Sequence, residues 1–280
     1  MSVNLFSVDS IALTEAFPDV NFEEKLGEGG QKYVYKAQTQ HEGRVAFKII
    51  KSNQQMERIV REIKAASIFS PPRFPQIYRY GNATVDNVDI VYIVEQFIDG
   101  VSLRDGIKMG PMNEADALKV GLEVLMALTE ISDKNLVHRD IKPENIMINS
   151  DVGAVLLDFG IARHLDLTSL TQDVAVFGPM TPGYAAPEQI NNEKRSISAR
   201  TDLFAWGILM YEMISGVNPF TQGCSTPAEA LVKTLKLEPE ILQGCNQELS
   251  KIINWCMKKQ VHRRPLSPSY LLELLKGVVL

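Results

Sequence analysis

The residues best able to do chemistry in this 280-residue chain lie in one run. It is Val137-His138-Arg139-Asp140-Ile141-Lys142-Pro143-Glu144-Asn145, and Asp158-Phe159-Gly160 begins thirteen residues after Asn145. Asp140 and Asn145 frame a short loop. Asp158 ends an apolar stretch, Ala154 to Leu157, that reads as a buried strand. Two carboxylates and an amide make a hard oxygen donor set that suits Mg²⁺, an ion that shares its shell with phosphates. Lys142 places a positive charge where a phosphoryl group would carry negative charge. A lone Asp-Gly or His-Arg pair would read as an ordinary polar loop. The combination H-R-D-x-x-x-x-N with D-F-G fixes too many positions for that reading.

Several other stretches must position these groups. Leu26-Gly27-Glu28-Gly29-Gly30-Gln31-Lys32 is glycine-rich, and glycines let backbone N–H groups approach a phosphate closely. Tyr33 to Ala37 reads as a returning strand, so this is a hairpin. A hairpin separates it from the strand-to-helix turn of a Walker loop or a dinucleotide fold. Val45 to Ile50 is a strand whose one charged residue is Lys48. Residues 55 to about 69 have helical periodicity, with Ile59, Ile63 and Ala66 on one face and Glu62 bordering it; Glu57 points to solvent. Asn113 to about Lys134 reads as a long helix with Ala117, Val120, Gly121, Val124, Leu128 and Ile131 inside. Asp202 to Tyr211 is apolar on nearly all sides and too short to span a bilayer, so it reads as a central buried helix. Tyr270 to Leu280 carries Leu271, Leu274, Leu275 and Val278 on one helical face.

Taken together, the motifs resemble those of protein kinases over roughly residues 20 to 275. Lys142 resembles the lysine of serine/threonine kinases, and Asp158-Phe159-Gly160-Ile161-Ala162-Arg163 with Ala186-Pro187-Glu188-Gln189 is most like the eukaryotic-like kinases of bacteria. The resemblance implies an α+β, two-lobed fold: a small antiparallel sheet lobe with one helix, over residues 20–97, and a larger mainly helical lobe, over 98–280. Residues 1–19 would be an extension packed on the first lobe, with Leu5, Phe6, Ile11, Leu13 and Phe17 as its apolar positions. It further implies a role for each matching residue. Asp140 would orient and accept the proton of a Ser or Thr hydroxyl, and Lys142 would neutralise the γ-phosphoryl oxygens. Asn145 and Asp158 would hold Mg²⁺ or Mn²⁺. Lys48, fixed by Glu62, would pair with the other phosphates of ATP. Gly27, Gly29, Val34 and Ala46 would surround the nucleotide, and the backbone of Gln96 and Ile98 would bond adenine. Lys32 stands where the family has its third glycine, so altered loop dynamics are expected without loss of binding.

Glu95 departs further from the pattern. If Phe97 is the usual hinge aromatic, Glu95 occupies the gatekeeper position. A buried carboxylate must find a cation or protonate. Two readings stand: the side chain turns to solvent, which is preferred, or it competes with Glu62 for Lys48 in an inactive state. Between Gly160 and Ala186 lies a long segment holding Thr168, Ser169 and Thr171, and Arg139 with Arg163 could receive a phosphate there. Thr181-Pro182-Gly183-Tyr184 resembles the segment that docks peptide substrate. Glu188 should pair with Arg264, and Asp202 should bond the catalytic-loop backbone, an expectation compatible with its capping its own helix.

Composition is permissive. The net charge of −5 points to neither nucleic acid nor an anionic membrane. No run is long and apolar enough to span a bilayer, and the first basic residue, Lys25, comes too late for a leader peptide. Cys224, Cys245 and Cys256 lack metal-like spacing and read as thiols of a reducing cytoplasm. The expectation is an ATP-dependent serine/threonine kinase acting on protein substrates, itself included through autophosphorylation. A nucleotide-binding scaffold with a kinase fold and a small-molecule kinase of the aminoglycoside type are the alternatives. Thr181 to Glu188, Asp202 and Arg264 disfavour the latter.

Overall fold

A computed structural model describes residues 10–29, 32–51, 59–60, 63–64, 66–158 and 180–279. The chain divides into two compact units, Met1–Asp99 and Gly100–Leu280.

The first unit is built on a five-stranded antiparallel sheet. Its strands are β1 (Val20–Gly29), β2 (Lys32–Thr39), β3 (Gly43–Lys51), β4 (Ile77–Val85) and β5 (Val88–Gln96), in the spatial order β1-β2-β3-β5-β4. Every residue of β3 from Val45 to Ile50 is buried, so both faces of this central strand are covered. Side chains alternate across a strand. Val45, Phe47 and Ile49 therefore share one face, where they pack with Ala37, Ile90 and Val94. Helix α1 (Ser10–Ala16) closes that same core with Leu13 and, just beyond its end, Phe17. The Phe17 ring stands edge-on to Phe47 and Tyr92, with centroids 4.8 and 5.0 Å away. The expected packing of the extension thus holds for Leu13 and Phe17; Leu5 and Phe6 lie outside the described residues. Lys48 falls on the opposite face of β3. It is placed in register between Val34 of β2 and Ile93 of β5, while Glu95 stands across from Ala46. Of the helix expected over residues 55–69, Ile59, Ile63 and Ala66 are helical and buried. Glu57 and Glu62 lie outside the described residues.

The second unit is mainly helical. A small sheet, β6 (Val101–Ser102), β7 (Ile146–Asn149) and β8 (Gly153–Leu156), accompanies α2 (Leu103–Lys108), α3 (Glu114–Asp133), α4 (Pro187–Ile190), α5 (Ala199–Ser215), α6 (Pro227–Lys236), α7 (Gln247–Cys256) and α8 (Pro268–Val279). Helix α3 begins where its cap dictates: the Asn113 side chain accepts the Asp116 N–H at 2.9 Å. All six residues expected on its inner face are buried. Gly121 packs against Met210 and Trp206 of α5. A side chain there would run into Met210, and the Gly121 carbonyl accepts the Trp206 Nε1–H at 2.8 Å. In α8, Leu271 and Leu275 are fully buried and Leu274 is half-buried. Among the described residues no helix is long and apolar enough to cross a membrane.

Candidate active site

In the second unit the loop from His138 to Asn145 enters β7 through a single 3₁₀ turn, Pro143–Asn145. The loop is hung on the buried helix α5. Asp202 accepts the His138 N–H on Oδ2 and the Arg139 N–H on Oδ1, both at 2.8 Å. Those bonds hold Arg139 at a φ of +67°, a backbone conformation that a side chain with a Cβ seldom takes. Burial outweighs the two bonds and raises the Asp202 carboxyl to about 7. Asp202 is not the helix cap. It is the fourth residue of α5, and the cap is Ser198, whose N–H donates to the Thr201 hydroxyl at 3.1 Å. The helix starts three residues earlier than the apolar run suggested, because Ala199 to Thr201 lack an apolar signature but meet a cap.

His138 is fully buried and braces the loop from within. Its Nδ1 accepts the Asp140 N–H at 3.3 Å, which leaves Nε2 as the donor to the Leu157 carbonyl, also at 3.3 Å. Through Leu157 it ties the loop to the residue before Asp158. Leu157 in turn donates its N–H to the Asn145 carbonyl at 2.8 Å. Sequence reasoning gave His138 no task, because a bracing contact to residue 157 leaves no local pattern.

Asp140, Lys142, Asn145 and Thr181 converge. Asn145 Nδ2 donates to the Asp140 carbonyl at 2.8 Å and to its Oδ2 at 3.0 Å. Lys142 Nζ lies 3.1 Å from Asp140 Oδ2 and 3.3 Å from Thr181 Oγ1. The Thr181 hydroxyl donates to Asp140 Oδ1 at 3.2 Å. Both oxygens of one carboxylate are therefore positioned by named donors, and a hydroxyl already sits at hydrogen-bond range of it. Asp158 follows Leu157 with a φ of +47°. Phe159, Gly160, Arg163, Thr168, Ser169 and Thr171 lie outside the described residues.

The segment from Thr181 to Gln189 is fixed to the same loop. Gln189 Nε2 donates to the Arg139 carbonyl at 3.0 Å, while its Oε1 accepts the Ala186 N–H at 3.0 Å. Glu188 and Arg264 form the expected pair, bidentate at 2.7 and 2.8 Å, with both side chains almost fully buried. Arg264 also donates to the carbonyls of Lys258, Arg200 and Lys259. A second network had no sequence signal. Arg104 reaches Glu144 at 2.7 Å, Glu212 at 2.6 Å and the Tyr184 hydroxyl at 2.6 Å, and that hydroxyl donates to Glu212. Burial raises the Tyr184 phenol far above its ordinary value, which keeps it a neutral donor. Its members come from four separated stretches, so only Glu212, an acid directly after the apolar run of α5, could have drawn notice.

In the first unit, Lys48 and Glu95 form an ion pair, 3% and 5% exposed. The preferred reading, in which Glu95 turns to solvent, is overturned. Alternation along β5 and its register with β3 put Glu95 on the Lys48 face, one pleat away. The Gln96 N–H donates to the Gln76 carbonyl at 2.8 Å, so that N–H is already engaged. Gly27 lies within β1 opposite Val34, where a Cβ would meet open space. Gly29 closes β1 against Lys32, and Ala46 lies beside Lys36 and Glu95. Among the described residues no three His, Cys, Asp or Glu side chains cluster as metal ligands.

The protein kinase domain profile matches residues 20–273. A probable serine/threonine-protein kinase of Clostridium perfringens is 32% identical over 249 residues, covering 86% of this chain and 35% of that protein. The serine/threonine-protein kinase PknB of Mycobacterium tuberculosis is 31% identical over 251 residues, 86% of this chain and 39% of its own length. A probable serine/threonine-protein kinase of Corynebacterium efficiens is 35% identical over 204 residues, 70% of this chain and 30% of its own. The chain spans about a third of the length of these relatives.

Proposed function

The chain belongs to the protein kinase domain family, and from that premise we propose that it transfers the γ-phosphate of Mg·ATP to Ser and Thr hydroxyls of proteins. The observation that carries this reading is the convergence of Asp140, Lys142, Asn145 and Thr181. Phosphoryl transfer asks for alignment and charge neutralisation more than covalent chemistry. Asp140 would take up the hydroxyl proton, with its two oxygens already oriented. Lys142, bridging Asp140 and Thr181, would neutralise phosphoryl oxygens. The Thr181 hydroxyl, within reach of Asp140, supports an aliphatic alcohol as acceptor.

Asn145 and Asp158 fit a hard divalent cation. The amide nitrogen of Asn145 faces Asp140, which would leave its oxygen for the metal, and Asp158 would add a carboxylate. Two protein oxygens are what Mg²⁺ commonly takes when phosphates and water complete its shell. Held by Asn145 and Asp158, the ion would supply positive charge to offset the negative charge of the phosphates. Gly27, Gly29, Val34, Ala46 and Lys48 would hold the nucleotide in the first unit, with Glu62 as a further partner of Lys48. Gln96 would present its carbonyl to adenine, since its N–H is engaged, and Ile98 its backbone. Thr168, Ser169 and Thr171 are the proposed sites of autophosphorylation. Use of ATP and three free thiols support a cytoplasmic setting.

The test is transfer of labelled γ-phosphate from Mg·ATP to a generic protein acceptor by wild type and Asp158→Asn, with modified residues mapped by mass spectrometry. Label with wild type only, at acceptor and chain hydroxyls, is expected. ATP binding without transfer would turn the reading to a nucleotide-binding scaffold, and transfer only to a small acceptor to a small-molecule kinase.

A further inference from the structure

Lys48 is a buried ammonium in the middle of strand β3, and one carboxylate paired with it, that of Glu95, stands on the adjacent strand. An ammonium taken out of water is costly unless it is paired. Seven consecutive residue pairs fix the register of β3 on β5. Glu95 faces Ala46, two residues before Lys48, and successive residues on one face of a strand are two apart. The carboxylate is thus a diagonal neighbour of Lys48, at a distance long side chains can bridge. Both side chains are held by buried surroundings: Ala46, Ile50 and Ile93 share their face and are buried.

We propose that Glu95 is a positioning residue for Lys48, a carboxylate on the sheet itself that keeps the ammonium in place for the phosphates of the nucleotide. The proposal rests on the nucleotide role given to Lys48 above and adds to it what fixes the lysine. A free lysine carries rotamer entropy that must be lost on binding a phosphate. Pairing with Glu95 removes much of that freedom beforehand. An ammonium has three donors, so a bond to one carboxylate leaves donors for phosphate oxygens. Because β3 and β5 are neighbours in one sheet, this alignment is set by strand register.

The experiment compares wild type, Glu95→Gln, Glu95→Asp and Glu95→Ala in the full chain. It reads kcat and KM for ATP, ADP binding by calorimetry, and melting midpoints. Glu95→Gln keeps the shape and removes the charge; kcat should fall roughly 10- to 100-fold, the scale of a misplaced reacting group. ADP affinity should fall as well, because ADP carries the phosphates Lys48 would meet and the lysine would then be ordered only on binding. Glu95→Asp should recover part of the loss. Unchanged kcat and KM in Glu95→Gln would overturn the proposal. So would a rise in ATP affinity and kcat/KM, which would make Glu95 a competitor of phosphate. A second arm reads the pair without activity: in the cycle Lys48→Met, Glu95→Gln and the double variant, the double should lose less melting temperature than the two singles combined. Additive losses would refute the pairing. If wild type neither binds ADP nor transfers phosphate, the kinase reading fails, and this cycle still decides whether Glu95 holds Lys48.

Discussion

Replacing Arg264 with Ala should destabilise the second unit severely. The guanidinium is buried, makes two bonds to Glu188 and closes three backbone carbonyls, those of Lys258, Arg200 and Lys259. It also lies over the Phe204 ring, 4.7 Å from its centroid. Truncation to Ala leaves Glu188, 1% exposed, as an uncompensated buried carboxylate. Breaking one half of a buried pair costs about 3–5 kcal/mol. For a unit of this size each kcal/mol moves the melting midpoint by about 2–4 °C, so a fall of roughly 6–20 °C is expected. Glu188→Gln should cost less, about 1.5–3 kcal/mol, because Arg264 keeps its three carbonyls. A double Glu188→Met/Arg264→Met variant should melt above Arg264→Ala, since no charge is left unpaired. Differential scanning calorimetry of the three variants measures this order. A midpoint for Arg264→Ala within about 2 °C of wild type would refute the argument. So would a double variant that melts lower than Arg264→Ala, because the penalty would then not lie in the stranded charge.

Three further outcomes are expected. Asp140→Asn should lower phosphate transfer by about 10²- to 10⁴-fold, the usual share of a general base, with only modest loss of ATP binding; single-turnover transfer and ADP calorimetry separate the two. Asp202 keeps its proton to about 7 in the folded chain against an ordinary 3.8, so the folded state binds more protons between those values. The stability of the second unit should therefore fall as pH rises through that window. Melting midpoints from pH 4 to 8 should show a shallower slope in Asp202→Asn than in wild type. Gly183→Ala should destabilise by about 1–3 kcal/mol, because φ is +87° there and a methyl would meet the Thr221 side chain; urea unfolding measures it.

The residues that touch one another along a short loop were legible in the sequence. Asp140, Lys142 and Asn145 lie within six positions, and their convergence follows from loop length and residue type. The long helix α3 was legible from periodicity, and the glycine hairpin from the returning strand. Glu188 and Arg264 were paired only through resemblance to a family, since 76 residues separate them. Other parts of the site were illegible because their partners are distant in sequence. His138 braces Leu157, and Arg104 gathers Glu144, Tyr184 and Glu212. The hold of Asp202 on two backbone N–H groups more than sixty residues away was expected, but, like the Glu188–Arg264 pair, only through the resemblance. Glu95 shows the division most clearly. The sequence by itself determined that an acid stands at the end of an apolar strand and that burial would oblige it to find a cation. Only the tertiary structure decided that it turns to Lys48 and not to solvent, because the side-chain period of a strand is two and a one-residue slip between β3 and β5 would have turned Glu95 to the other face, away from Lys48.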